Sequence, residues 1–231
     1  YGFCSWSVQN VRFNRCLSRK RKMYISDSDY VWKYQTISNG YDPEDFSDIE
    51  PICMTDKSAF ILAGQFNIYT PTAVSSLMEA LRLLPNVHFI YIGNEAECIQ
   101  SAAENYSVGH LVTTYPYMPY ETVLRYVAGA NFTILSNGMR NGIGTKIFDY
   151  LALNKPVLCF VPKGSVITQQ FSELESVLIC EPPYSAASIA EKLGELLALK
   201  TLKGSNDIVK EFSRVEASGK LANIFDVVDR K

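Results

Sequence analysis

From Ser58 onward two hydrophobic patterns alternate along the chain. Six short runs are apolar almost throughout: AFILAG (59–64), VHFIYIG (87–93), HLVTTY (110–115), FTILSNG (132–138), PVLCFV (156–161) and VLIC (177–180). Amphipathic stretches separate them. In the first, Val74, Leu77, Met78, Leu81 and Leu84 recur every three to four residues, which lays them on one face of a helix. Thr70 and Pro71 supply its N-cap and first-turn residue, and Pro85 stops it, since proline fits the first turn of a helix but not its interior. Comparable helices are predicted near 95–106, 120–129, 145–153 and 167–175, and a sixth from Ser185 to Leu199.

Strands that are apolar on both faces and alternate with helices predict a parallel sheet covered on both sides. The expected fold is α/β: a doubly wound, six-stranded, Rossmann-like sheet with strand order 3-2-1-4-5-6. In that order the winding reverses between strands 1 and 4, and a crevice opens at their carboxyl ends. The loops there are Gly64-Gln65-Phe66 and Ser136 to Thr145. Topology alone thus places the ligand site. The turn-rich, acidic stretch SNGYDPEDFSDIEP (38–51) reads as an interdomain linker. Residues 206–228 read as one or two closing helices, with apolar stripes at Phe212 and Val215 and at Leu221, Ile224 and Val228. Either they pack on the sheet or a terminal helix reaches toward a neighbouring domain.

The 231 residues are 47% apolar, enough for one α/β core and an appended segment but hardly for two full domains. The net charge of −2 argues against a general polyanion binder, yet it hides an asymmetry. Residues 1–22 carry Arg12, Arg15, Arg19, Lys20, Arg21 and Lys22 and no acid, which leaves −8 on the rest. This run reads either as a solvated helix or as a dock for anionic lipid, with Phe3, Trp6 and Phe13 inserting at the interface. No folded nucleic-acid-binding motif accompanies it. Six cysteines occur without a C-x-x-C pair, and Cys159 and Cys180 sit in apolar runs. Buried, reduced thiols of a cytosolic protein are expected. With only His88 and His110, and no ligand spacing, no metal is expected. No apolar run reaches 18 residues, so the expected location is cytoplasmic, at most peripheral at the inner face of the membrane. The opening YGFCSWS lacks a methionine and reads as a cut from something longer.

Candidate chemistry concentrates in SNGMRNGIGTKIFDYLALNKPVLCFV (136–161), where a glycine-bearing loop runs into a helix and a strand follows. Gly138, Gly142 and Gly144 let backbone approach a ligand closely. A helix beginning near Thr145 aims its first amides at the crevice, which suits a diphosphate, and Lys146 adds a cation at that end. Asp149 lies about 6 Å further along the axis, placed either to accept ribose hydroxyls or simply to favour the helix N-terminus. The glycine spacing matches neither a dinucleotide fingerprint nor a P-loop.

GTKIFDYLALNKPVL resembles the P-x-K-[IL]-[FL]-E-Y-x-A-x-G-[KR]-P-V stretch of retaining GT-B glycosyltransferases, family four and relatives. WKYQTISNGYDPEDF (32–46) resembles that family's interdomain strand and linker. AFILAGQF resembles its first strand, YMPYETVLRYVAGANFTIL (117–135) its third helix and fourth strand, and EFSRVEASGKLANIFDVV (211–228) its closing helices. The resemblance covers about 32–228. It implies a donor-binding C-terminal domain that takes a nucleoside-diphosphate sugar, UDP-sugars among them, without a metal. The family's paired glutamates fall on Asn141, facing the donor sugar, and Asp149, holding the ribose; these are the expected catalytic pair. Gly142, Gly144, Thr145 and Lys146 are expected at the diphosphate, Gly64 and Gln65 on the other wall, and Tyr117, Met118 and Pro119 near the base. Asn137 and Arg140 complete the expected donor-binding set.

The departures are specific. Gln65 and Pro71 stand where the family carries an Arg and a Lys, and Asn141 and Asp149 replace glutamates. Arg140 and Lys146 are the candidates to compensate. The expected parts are a remnant of an acceptor domain (1–37), a linker (38–57), the sugar-nucleotide domain (58–205) and closing helices (206–231). The expected activity is sugar transfer with retention to a glycan or lipid-linked acceptor, in surface polysaccharide synthesis. A non-catalytic sugar-nucleotide-binding or scaffolding domain is the alternative. An epimerase is a more distant one, because its acid/base residues are not found.

Overall fold

The computed structural model describes residues 37–199 and 209–229. The basic run, its aromatic neighbours and the strand expected around Trp32 lie outside the described residues.

Six parallel strands form one sheet: β1 (Ser58–Ala63), β2 (Val87–Ile92), β3 (Val112–Tyr115), β4 (Phe132–Ser136), β5 (Val157–Phe160) and β6 (Val177–Cys180). Their order is β3-β2-β1-β4-β5-β6, the doubly wound order expected. The linking helices are α1 (Pro71–Leu81), α2 (Ala96–Asn105), α3 (Tyr120–Gly129), α4 (Lys146–Ala152), α5 (Val166–Phe171) and α6 (Ala186–Ala198), followed by α7 (Arg214–Asp229). Successive strand residues point to opposite faces, which divides the core in two. Phe60 and Leu62 of β1 join Leu77, Met78, Phe89, Ile99, Phe132, Phe160, Ile189 and Leu193 under α1, α2 and α6. Ala59, Ile61 and Ala63 join Ile90, Val127, Ile147, Phe148, Leu151, Cys159, Ile167 and Phe171 under α3, α4 and α5. Across β2, β1 and β4 the rings of Phe89, Phe60 and Phe132 stack in a row with centroids 5.0 Å apart.

Several element ends differ from expectation for local reasons. Thr70 does not cap α1 with its side chain; the hydroxyl turns instead to the Phe66 carbonyl (3.2 Å) and the Ser136 hydroxyl (2.9 Å). The apolar spacing beyond Leu81 continues as turns, with the Leu84 amide on the Leu81 carbonyl and the Val87 amide on the Leu84 carbonyl. The fifth helix stops at Phe171, four residues early, because two such turns (Leu174 onto Phe171, Val177 onto Leu174) return the chain to β6. Cys159 and Cys180 are buried free thiols, as expected, whereas Cys53 and Cys98 are free and exposed.

The segment before β1 runs along α3 and the closing residues. The Ile52 amide donates to the Arg125 carbonyl (3.0 Å), and the Tyr41 amide donates to the Phe212 carbonyl (3.1 Å). Gly40 is required there: a Cβ would lie 1.7 Å from the Phe212 carbonyl oxygen. Phe212 itself packs on Phe148 and Phe171. In helix α7 Val215, Leu221 and Phe225 are exposed, so these positions do not pack on the sheet. Among the described residues no helix is long and apolar enough to cross a membrane.

Candidate functional site

The reversal of winding brings the loops after β1 and β4 together. Strand β1 ends at Ala63, and Gly64 turns the chain with φ +117°, a conformation that favours glycine. The Gly64 amide donates to the Ile92 carbonyl (2.8 Å), tying the turn to β2. From the other side Lys146, first residue of α4, extends its ammonium to the Ala63 carbonyl at 2.7 Å. A Cβ on Gly64 would lie 1.9 Å from that ammonium, so glycine is needed both for its φ and for the cation's passage. Burial of the ammonium lowers the Lys146 pKa, against a pull upward from Asp149, although the residue as a whole is exposed. Two further contacts join the loops: the Thr70–Ser136 hydroxyl pair, and Gly138, whose Cβ would lie 3.0 Å from the Tyr69 carbonyl.

Asn137, expected at the donor, is buried and serves its own loop. Its side-chain amide donates to the Gly142 carbonyl (2.8 Å) and accepts from the Met139 amide (2.9 Å). It shapes the 137–142 turn, on which Arg140 and Asn141 stay exposed. The Arg140 carbonyl accepts the Val166 amide (2.9 Å), anchoring the turn to α5. Gly144 faces open space, with no atom within 4 Å of a Cβ placed there. Among the described residues, the amides of Gly142 to Lys146 make none of the hydrogen bonds found. Helix α4 is seven residues long, so what this end can offer an anion is free amides and the Lys146 charge rather than a long helix dipole.

Asp149, one turn on, is largely buried. Burial pushes its carboxyl up to about 6, with Asp45 acting the same way; the Tyr120 hydroxyl, Arg214 and Lys146 pull it down. Tyr120 faces Asp149, and burial together with that carboxylate raises the phenol's pKa. Tyr120 opens α3 directly after Tyr117, Met118 and Pro119, so the loop expected near the base adjoins the carboxylate expected at the ribose. Tyr117 is 62% exposed, Met118 packs against the core and Gln65 is exposed. A cavity of about 380 Å³ opens beside the crevice, lined by Glu44, Asp45, Ile49, Tyr120 and Arg125; it shares Asp45 and Tyr120 with the surroundings of Asp149.

Sequence reasoning missed Tyr120, Asp45 and Arg214 around Asp149. It also missed Glu95, whose carboxylate accepts the amides of Phe66 (2.5 Å), Asn67 (3.1 Å) and Ile68 (2.9 Å). These neighbours come from four separate parts of the chain and carry no spacing signal.

The doubly wound sheet, with its β1 and β4 loops joined at the reversal, is the Rossmann-like domain of GT-B proteins. The chain belongs to the family "Glycosyl transferases group 1", whose family model matches residues 55–213. Solved structures agree in fold. A sucrose-phosphate synthase from Thermosynechococcus elongatus superposes with TM-score 0.66 at 16% identity, over 84% of this chain and 52% of that one. A glycosyltransferase from Rickettsia africae gives 0.64 at 13%, over 83% and 56%. Anabaena HepE, solved in complex with UDP and glucose, gives 0.65 at 12%, over 83% and 56%. The chain thus spans about half the length of these structures. Curated protein sequences give no significant match.

Proposed function

We propose that this chain is the donor-binding half of a glycosyltransferase that moves a sugar from a nucleoside-diphosphate sugar to a glycan or lipid-linked acceptor, with retention, in surface polysaccharide synthesis. The observation that carries the reading is the meeting of Lys146, Gly64 and the open amides beside Gly144 at the winding reversal. That is an anion site where a doubly wound sheet binds ligands. In this reading the diphosphate lies on Gly142, Gly144, Thr145 and Lys146, with Gly64 and Gln65 opposite. Asn141 faces the sugar, Asp149 takes the ribose hydroxyls, and Tyr117, Met118 and Pro119 border the base. Arg140 and Lys146 supply positive charge to the leaving diphosphate in place of a metal. The enzyme works in the cytoplasm, peripherally at the membrane if the basic run docks on anionic lipid.

The test is calorimetry with uridine, UMP and UDP, then with GDP and ADP. Affinity is expected to rise at each added phosphate, to fall with salt and to survive chelator. Equal affinity for nucleoside and diphosphate would remove the anion site, and a strict magnesium requirement would remove the metal-free reading. The alternative, a sugar-nucleotide-binding module without turnover, draws on Gln65 and Pro71, neither of which is charged. Turnover by the full-length protein decides between them.

A further inference from the structure

The loop after β1, which forms one wall of the crevice, is held from behind by a group that has no place in the donor reading. Three successive amides, those of Phe66, Asn67 and Ile68, converge on the Glu95 carboxylate at 2.5, 3.1 and 2.9 Å. Successive amides in a turn make a concave anion nest, and hydrogen bonds to a carboxylate are about twice as strong as neutral ones. Tyr91, fully buried, ties the same corner: its hydroxyl donates to the Gly64 carbonyl (2.5 Å) and accepts the Glu95 amide (3.2 Å). On the opposite flank the loop meets β4 through the Thr70–Ser136 hydroxyl pair at 2.9 Å. Glu95, at the start of α2, and Ser136, at the end of β4, therefore grip the loop from either side and fix where Gly64 and Gln65 stand.

We propose that Glu95 is a positioning residue of the donor crevice, which sets the wall carrying Gly64 and Gln65 and, as an internal anion, fills a nest that would otherwise take phosphate. The inference rests on the donor reading for its effect on binding, but the nest itself does not depend on that reading. The chain thereby offers an incoming diphosphate one set of open amides, at 142–146, and denies it a second at 66–68. A purely structural carboxylate stabilises the loop without governing which amides are open to anions, so the two roles separate experimentally.

The experiment uses the full chain, UDP by calorimetry, and inorganic phosphate followed by amide NMR. Glu95→Ala is expected to weaken UDP about tenfold or more, the scale of a lost charged hydrogen bond. It is also expected to make the amides of Phe66, Asn67 and Ile68 respond to phosphate, which they do not do in the parent. Glu95→Gln keeps one acceptor oxygen but turns an NH2 donor toward at least one of the three amides, so it is expected to recover only part of the UDP affinity lost in Glu95→Ala. Unchanged UDP affinity in Glu95→Ala, or phosphate-silent amides at 66–68, overturns the proposal. If Glu95→Ala does not fold, Tyr91→Phe, which frees the Gly64 carbonyl, is expected to weaken UDP about threefold or more, and parent-like affinity there overturns it. If the parent chain binds no nucleoside diphosphate, the donor reading fails, and the phosphate titration still decides the nest.

Discussion

Two glycines of the crevice separate what the fold needs from what a ligand needs. Gly64 is held at φ +117° against the Lys146 ammonium. Gly64→Ala should therefore cost about 1–3 kcal/mol and lower the melting temperature, because both backbone strain and the displaced cation act on the fold. Gly144 has no neighbour within 4 Å of a Cβ and no left-handed φ. Gly144→Ala should leave the melting temperature unchanged while nucleoside-diphosphate affinity falls, since in the proposed reading the added methyl enters the open space where the diphosphate would lie. A melting temperature that drops in both variants, with affinity kept, would assign both glycines to folding alone. Asp149 adds a pH-dependent case. Its carboxyl is raised to about 6 from 3.8. Between those values the folded protein binds the proton and the unfolded chain does not. Stability contributed here is present below about pH 4 and declines as pH rises through about 6. Ionised Asp149 is thus a cost that ligand hydroxyls can offset. Asp149→Asn should stabilise the fold at pH 8 but not at pH 3.5, by chemical denaturation at the two pH values. Asp149→Ala should weaken nucleotide binding about 10- to 100-fold. Stability that rises with pH through 4–6, and affinity untouched in Asp149→Ala, would contradict the two statements in turn.

At the scale of elements, short connections depend on side chains reaching back to spent carbonyls. Lys155, in the turn after α4, sends its ammonium to the carbonyls of Ala128 (2.6 Å) and Ala130 (2.7 Å) at the carboxyl end of α3, where a cation meets the negative end of a helix. Lys155→Met should destabilise by about 1–3 kcal/mol and unlock α3 first, seen as faster amide exchange over 120–129 than over α1. Equal exchange in both helices would reduce Lys155 to a surface cation. The sequence reveals the elements well and their anchors poorly. The strands are legible because a parallel sheet buried on both faces demands uninterrupted apolar runs, and the switch of period announces each helix. The alternation predicts a doubly wound parallel sheet, and the order expected for it is the one observed. Anchors such as Lys155 to α3, Glu95 to the β1 loop and Asn137 to its own turn are single polar residues. Their partners are backbone groups, which every sequence supplies identically. Thr70 illustrates the limit: locally it has the chemistry of a cap, but the nearest strand offers Ser136 and wins. Gly64 stands where backbone and the Lys146 ammonium come close, which restricts residue type, whereas the contact of Lys146 with the Ala63 carbonyl leaves no mark in the sequence. Tyr120 and Arg214 were not, since their closeness to Asp149 is a product of the fold alone.

For the whole molecule, the question is what the chain does by itself. Its sheet is complete and covered on both faces over 58–198, so it should fold and bind a donor unaided. The structures it resembles are about twice as long. In a two-domain transferase the acceptor lies on the other domain across the cleft. Holding two reactants in register can supply about 7–11 kcal/mol of a barrier, and a donor half lacks that contribution. Helix α7 leaves the sheet with Val215 66% and Phe225 51% exposed, apolar surface that the six-stranded domain does not cover. The chain alone should therefore bind nucleoside diphosphate between Gln65, Tyr117 and the 141–149 segment, yet transfer nothing. A form of the protein that also carries an acceptor domain should transfer. The measurement is single-turnover transfer from a radiolabelled donor to a pool of lipid-linked and oligosaccharide acceptors, with short and long proteins side by side. Anionic and neutral vesicles are added in parallel. If the basic run docks on lipid, the protein should sediment with anionic vesicles only, and charge reversal at Arg19, Lys20, Arg21 and Lys22 should abolish that. Transfer by the short chain at the full-length rate would place the acceptor site within 1–231 and overturn the division into donor and acceptor halves. Donor binding without transfer by either protein would instead favour the non-catalytic module.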